Sequence, residues 1–315
     1  MQTEPRTLHR LEKIVAIFAL AAALALTIGF AQAGGAKKKK LTAAEREDAH
    51  AEALAQRLQR EQPDKVFLRS SVALVQDAAS GEAILAKNSD AVLPIASITK
   101  LMTAMVLLDA RVDLAQRVVV SEEDLDTMKG TRSRLRPGSV LTRDELLLLA
   151  LMASENRAAA ALARTYPGGS DAFVRAMNAK AQALGMQDTR FSDPTGLSSE
   201  NVSSAQDLAR LVQAAYDYRL IREYSTRERA TVHARGRALD YRNTNGLVRS
   251  SRWDIGLSKT GFISEAGRCL VMRVRVASRD LVVVLLDSWG KYSRIGDANR
   301  IRKWLETAAL VGPSG

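Results

Sequence analysis

Between Arg268 and Ala277 the side chains alternate: Leu270, Met272, Val274 and Val276 are apolar, and Arg273 and Arg275 lie between them. Successive side chains of a strand point to opposite faces, so this stretch predicts an antiparallel strand covered on one side. Leu281 to Asp287 predicts its partner, joined through Ser278-Arg279-Asp280, and Ile255 to Phe262 predicts a third strand just before them. Far earlier, Ser71–Asp77 and Ala83–Lys87 flank Ala79-Ser80-Gly81 and read as a β-hairpin. A single sheet must therefore draw strands from both ends of the chain, with whatever lies between inserted into it.

What lies between is helical. One helix is expected from Ser97 through Leu108, and another from Thr142 as N-cap through the run Leu146 to Met152. The alanine-rich segment Asn156 to Thr165 is a third, and Ser170 is expected to cap a fourth that ends at Gly185. Ser204 and Asp207 form a capping-box pattern opening a fifth, Ala205 to Tyr218. A last helix, Asp297 to Leu310, aligns Ala298, Ile301, Leu305 and Ala308.

The N-terminus reads as an address. Arg6, Arg10 and Lys13 precede an uncharged apolar run from Ile14 to Phe30, and Ala31-Gln32-Ala33 follows as a small-x-small cleavage site. Residues 1–33 are expected to be a signal peptide, with an uncleaved anchor as the alternative, and the remainder is expected in the periplasm. Residues 34–65 are polar and predict a linker with a partly helical, loosely packed arm over Leu41 to Gln62. A catalytic domain over residues 66–310 and a short tail, 311–315, complete the expected organisation.

The inventory narrows the chemistry. With hydrophobic residues at 46% and charged residues at 26%, the chain is globular. One cysteine, Cys269, forbids an internal disulfide, and only His9, His50 and His233 are available as imidazole ligands. Neither a zinc centre nor another cofactor is expected. The net charge of +11 suits nucleic acid, but export makes that partner unexpected. An exported basic protein meets anionic lipid head groups, giving at most peripheral membrane contact, and the carboxylates of cell-wall peptides.

Three short motifs stand in order: Ser97-Ile98-Thr99-Lys100, Ser154-Glu155-Asn156 and Lys259-Thr260-Gly261. The first and second each have a decoy, Ser288-Trp289-Gly290-Lys291 and Ser199-Glu200-Asn201. Context separates them. Ser97 opens a helix, where a lysine one turn on shares its face and can take the hydroxyl proton if the amine is kept neutral. Burial or neighbouring positive charge does that, and free backbone N–H groups at a helix start can meet an oxyanion. Ser154 breaks two apolar helices, while Lys259 lies in a strand beside a glycine that lets a ligand approach. Ser288 ends a strand and Ser199 sits in a turn.

This set resembles the signature of serine β-lactamases and penicillin-binding proteins. The likeness extends over about Val66 to Leu310, through Pro194-Thr-Gly-Leu, Arg242-Asn-Thr-Asn and Trp253 to Phe262, and resembles the low-molecular-mass D-alanyl-D-alanine peptidases, their endopeptidase branch above all. It implies a mixed α+β fold, an antiparallel five-stranded sheet flanked by helices with an all-helical subdomain. It also implies Ser97 as acylated nucleophile, Lys100 as proton acceptor and Ser154 as proton relay to the leaving amine. Asn156 would hold the substrate backbone, Lys259 would supply charge and Thr260 would bind a carboxylate. Backbone N–H groups of Ser97 and Phe262, beside Gly261, would form the oxyanion hole. Glu155 stands where the commoner pattern has glycine, and it is expected to point elsewhere.

The implied function is hydrolysis of D-alanyl cross-links in peptidoglycan, with β-lactams as covalent inhibitors. Removal of terminal D-Ala by a carboxypeptidase is the first alternative; the 54 residues after Gly261, room for two strands and a helix, favour the endopeptidase. A β-lactamase is disfavoured because only Glu200 stands between Glu155 and Ser204 as a deacylating carboxylate. A catalytically inactive cell-wall binding protein would not need Ser97, Lys100, Ser154 and Lys259 together.

Overall fold

The computed structural model describes residues 42–62, 65–290 and 292–311. The expected signal peptide, the lysine cluster at 37–40 and Lys291 of the decoy motif lie outside them. Among the described residues no helix is long and apolar enough to cross a membrane.

Five strands make the central sheet: β1 (Ser70–Asp77), β2 (Ala83–Lys87), β9 (Asp254–Ile263), β10 (Gly267–Val276) and β11 (Arg279–Ser288). Their order is β2-β1-β11-β10-β9, and every neighbouring pair is antiparallel. The two ends of the chain meet at the β1–β11 seam, where Leu74 opposes Val284.

The alternating face of β10 behaves as the sequence predicts. Leu270, Met272 and Val274 join Val283 and Leu285 in an apolar layer under Ala298, Ile301 and Leu305 of the terminal helix α8 (Ser293–Val311). That helix starts four residues before the expected Asp297, because Ser293 bonds the carbonyl of Gly290 at 2.9 Å. The opposite face is also covered, which the alternation did not predict. Cys269, Val271, Val282, Val284 and Leu286 pack into the helical block, and only toward the β10 end do Arg273 and Arg275 emerge. Arg273 lies over the Tyr216 ring at 3.9 Å.

The helical block holds α2 (Lys100–Asp109), α3 (Arg143–Met152), α4 (Asn156–Arg164), α5 (Gly169–Ala183), α6 (Ala205–Tyr216) and α7 (Arg219–Thr226). Thr142 caps α3 through a reciprocal bond with Glu145, and Ser204 accepts the Asp207 amide at 3.2 Å at the start of α6. The expected cap at Ser170 is wrong: Gly168, in the left-handed region at φ +87°, precedes α5, and Ser170 lies within it. Short pairs β3–β6 (Leu93–Pro94, Val202–Ser203) and β4–β5 (Arg117–Val119, Val140–Thr142) stitch the block. A further hairpin, β7–β8 (Arg229–Ala234, Arg237–Arg242), follows α7.

The arm is a continuous helix, exposed along most of its length. Helix α1 (Ala43–Glu61) buries Ala55 and reaches the body through charge. Glu52 pairs with Arg300 at 2.5 Å, and Asp48 pairs with Arg69. A polar composition hid this docking, because ion pairs rather than apolar residues carry it.

Candidate active site

Ser97 lies in a 3-10 turn, Ala96–Thr99, that runs into α2. The expected α-helix therefore begins at Lys100 rather than at Ser97. Tightness of the turn follows from what clasps it. Ala96 has φ +47°, and a Cβ on Gly196 would fall 2.0 Å from the Ala96 carbonyl oxygen. On the other side a Cβ on Gly261 would lie 2.9 Å from Ile95 O and 3.1 Å from Ser97 N. Glycine is required at both positions so that a loop and a strand can press on the nucleophile's backbone.

Lys100 is fully buried, and its ammonium nitrogen has three neighbours. Ser97 Oγ is at 2.8 Å, Asn156 Oδ1 at 2.7 Å and the Thr195 carbonyl at 2.6 Å. A neutral amine has two N–H donors and one lone pair. Asn156 Oδ1 and Thr195 O can only accept, so they take both donors and leave the lone pair aimed at the Ser97 hydroxyl. Burial pulls the Lys100 value down to about 7, against the opposing charges of Asp193 and Glu155. With that value about half of the amines are neutral at pH 7 and able to take the Ser97 proton.

Ser154 sits between α3 and α4 at φ +58°, which turns its hydroxyl toward Lys259 Nζ at 2.8 Å. Lys259 also donates to the Thr260 carbonyl at 2.9 Å and is buried on β9. Burial, with the charges of Lys100 and Arg294, holds it well below an ordinary lysine. The two lysines thus repel one another's protons across the site. Asn156 is oriented from both ends, since its Nδ2 donates to Thr131 Oγ1 at 3.0 Å while its Oδ1 faces Lys100. Thr260 Oγ1 is 2.6 Å from Thr244 Oγ1. Phe262 is exposed at the end of β9, with the Arg268 guanidinium 4.7 Å over its ring.

The structure therefore brings Ser97, Lys100 and Asn156 together, joins Ser154 to Lys259 and sets Gly261 against the Ser97 backbone, while Thr260 meets Thr244 and Phe262 lies exposed beside Arg268. Glu155 turns away as expected: its carboxylate accepts the Arg157 amide at 3.3 Å and caps α4. Burial raises its value.

Sequence reasoning missed the residues that hold this cluster in place. Asp193 accepts from the amides of Thr195, Gly196 and Ser198 at 2.6, 2.9 and 3.0 Å, and so shapes the loop that carries the Thr195 carbonyl. Asn201, from the supposed decoy triplet, accepts the amides of Ser192 and Asp193 and donates to Thr99 Oγ1 at 3.1 Å. Its neighbour Ser199 stays in the turn. Arg294 of α8 donates to Gly261 O at 2.9 Å and Cys269 O at 3.2 Å, and burial pulls it down to about 10. Only the Pro194-Thr-Gly-Leu segment gave a signal for any of these. Ser288 is buried against Ser70 on the far side of the seam, away from Lys100.

The chain's likenesses agree with this cleft. A family model described as D-alanyl-D-alanine carboxypeptidase matches residues 58–289. A D-alanyl-D-alanine endopeptidase of Pseudomonas aeruginosa is 51% identical over 246 residues, 78% of this chain and 79% of that one. The D-alanyl-D-alanine endopeptidase of Escherichia coli is 48% identical over the same shares. Among solved structures, a D-alanyl-D-alanine carboxypeptidase from Mycobacterium tuberculosis superposes with TM-score 0.70 at 26% identity, covering 79% of this chain and 94% of that one. The chain belongs to the D-alanyl-D-alanine carboxypeptidase family of serine peptidases.

Proposed function

We propose that the protein is a serine-type D-alanyl-D-alanine endopeptidase that opens D-alanyl cross-links of peptidoglycan. The observation that carries the chemistry is the buried Lys100 amine, 2.8 Å from Ser97 Oγ with its other two partners restricted to accepting. Lys100 takes the Ser97 proton as Oγ attacks the D-alanyl carbonyl. The backbone N–H groups of Ser97 and Phe262 receive the oxyanion, with Gly261 keeping the strand close enough. A proton returns through Ser154 to the departing amine, Lys259 holding that hydroxyl in line. Water then releases the acyl group from Ser97. Asn156 has one remaining N–H for the substrate backbone, and Thr260, next to Lys259 on β9, would bind a carboxylate.

The endopeptidase reading, over release of terminal D-Ala, is supported by likeness to two enzymes of that name across most of the chain. β-Lactams should acylate the same serine. Export to the periplasm is part of the proposal, and rests on Arg6, Arg10 and Lys13 before the apolar run and on Ala31-Gln32-Ala33 after it.

The test feeds purified protein cross-linked muropeptides and pentapeptides side by side, with fluorescent penicillin as a covalent probe. Cross-links should be opened faster than terminal D-Ala is released. Ser97→Ala should lose all labelling and Ser288→Ala should keep it. Faster loss of terminal D-Ala would make the protein a carboxypeptidase, and full labelling of Ser97→Ala would remove the nucleophile.

A further inference from the structure

Outside the catalytic cluster, one cavity of about 370 Å³ is dominated by a single charge. Ser133, Arg134 and Arg136 form one wall, and Arg235, Arg237 and Leu239 of the β7–β8 hairpin form the other. No acidic side chain lines it. Among the described residues, none of the four guanidiniums is in an ion pair. Two of them are held in place. Arg134 stacks 3.9 Å over the Tyr241 ring and donates to the Asp240 carbonyl, and Arg235 donates to the Pro137 carbonyl at 2.8 Å. Four fixed or neighbouring cations in a concave site repel one another, and an anion that enters relieves that repulsion. Guanidinium forks suit a carboxylate in particular.

Both walls lead directly into the cleft. Four residues before Leu135, Thr131 bonds the Asn156 amide, and Leu135 itself accepts from Arg157 at 2.6 Å. On the other wall, Thr244 lies five positions after Leu239, and its hydroxyl meets Thr260. That is roughly 17 Å if fully extended. A peptide of four or five residues has a reach of about 14–17 Å.

We propose that this cavity is a carboxylate subsite, which receives a free carboxylate of the peptide stem while the scissile bond lies at Ser97. The assignment rests on the reading of the protein as a peptidoglycan endopeptidase. The stem bears free carboxylates away from its cross-link, apart from any that Thr260 would bind beside the amide that is cut. The cavity therefore recognises the substrate at a distance from the reaction.

The test uses Ser97→Ala protein, which binds without turnover, with and without Arg136→Gln and Arg237→Gln. The side chains of these two arginines make no hydrogen bond to another described residue, so replacing them leaves the backbone bonds of both walls intact. The probes are a fluorescent cross-linked muropeptide and the same molecule with its free stem carboxylates amidated. The glutamine pair should weaken binding of the first about tenfold, the equivalent of about 1.4 kcal/mol. The amidated probe should bind weakly to both proteins and respond to neither change. Equal affinity of the two probes for the arginine protein, or no loss with the glutamines, overturns the subsite. Binding to phosphatidylglycerol vesicles that falls with the glutamine pair, while muropeptide affinity holds, assigns the cavity to a membrane surface and also overturns it. Penicillin carries no peptide stem, so its acylation of the Ser97 protein bearing the glutamine pair reports folding. If the protein with all its native residues is not acylated, the peptidase reading fails, and the two muropeptide titrations still decide the cavity.

Discussion

Replacing Lys100 with methionine should destroy activity and change the stability of the fold by an amount that depends on pH. The lysine is fully buried with a value near 7 against 10.5 for its free form. At about 1.4 kcal/mol per pH unit, the folded state carries a burden of about 5 kcal/mol below neutral pH. The sign follows from proton counting. Between pH 7 and 10.5 the unfolded chain holds a proton on this lysine that the folded chain lacks, so stability rises with pH across that window. Below pH 7 both states are protonated and the full burden remains. Methionine matches the length of the side chain and removes the charge, but it leaves Asn156 Oδ1 and Thr195 O without their donor. That loss costs about 1–3 kcal/mol per buried group, about 2–6 kcal/mol for the two, and so cancels much or all of the gain. The offset is indifferent to pH, so the difference between two pH values isolates the charge. Denaturant unfolding at pH 7 and pH 9 should show the native protein gaining about 2 kcal/mol on Lys100→Met. Lys259, relieved of a neighbouring charge in the variant, adds to the same sign. Acylation by penicillin in the native protein should rise with pH and level off above about 7. A stability difference that does not change with pH, or an acylation rate flat from pH 5 to 9, would refute a neutral amine at this position.

Two further outcomes follow from the same geometry. Lys100→Arg should acylate at least tenfold more slowly than Lys259→Arg, because a guanidinium keeps its proton where a base is needed but still supplies charge beside Ser154; stopped-flow acylation with fluorescent penicillin compares them. Gly196→Ala should lower stability by about 3 kcal/mol or more through overlap with Ala96 O and a left-handed backbone. It should also slow acylation, so a melting curve and acylation rate unchanged from the native protein would show that the loop does not clasp the nucleophile.

The elements with a strong local signal were legible. Alternation fixed β10, the Thr142–Glu145 capping box fixed the start of α3, and the helical spacing of Ser97 and Lys100 put their side chains together. The β7–β8 hairpin escaped notice because its buried positions are few, Val232, Ala234 and Tyr241, and charged residues surround them. Arg294, Asp193 and Asn201 escaped for another reason. Each acts by bonding a backbone group brought near only by the tertiary fold, and Arg294 lies 33 residues from the Gly261 carbonyl it holds. The second cover on β10 was hidden as well, since Cys269 and Val271 at one end break the alternation that Arg273 and Arg275 maintain at the other.

The seam between β1 and β11 has a consequence for the order of events in synthesis. Leu74 is made early, yet its partner Val284 leaves the ribosome about 210 residues later. Joining them closes a loop of about 200 residues, at a cost on the order of 5 kcal/mol before any contact across the seam repays it. Gly261, which backs Ser97, is delivered almost as late. A nascent chain therefore has its serine and lysine long before it has the strand that makes them reactive. Its slow, end-to-end closure also makes the helical middle the first part able to fold.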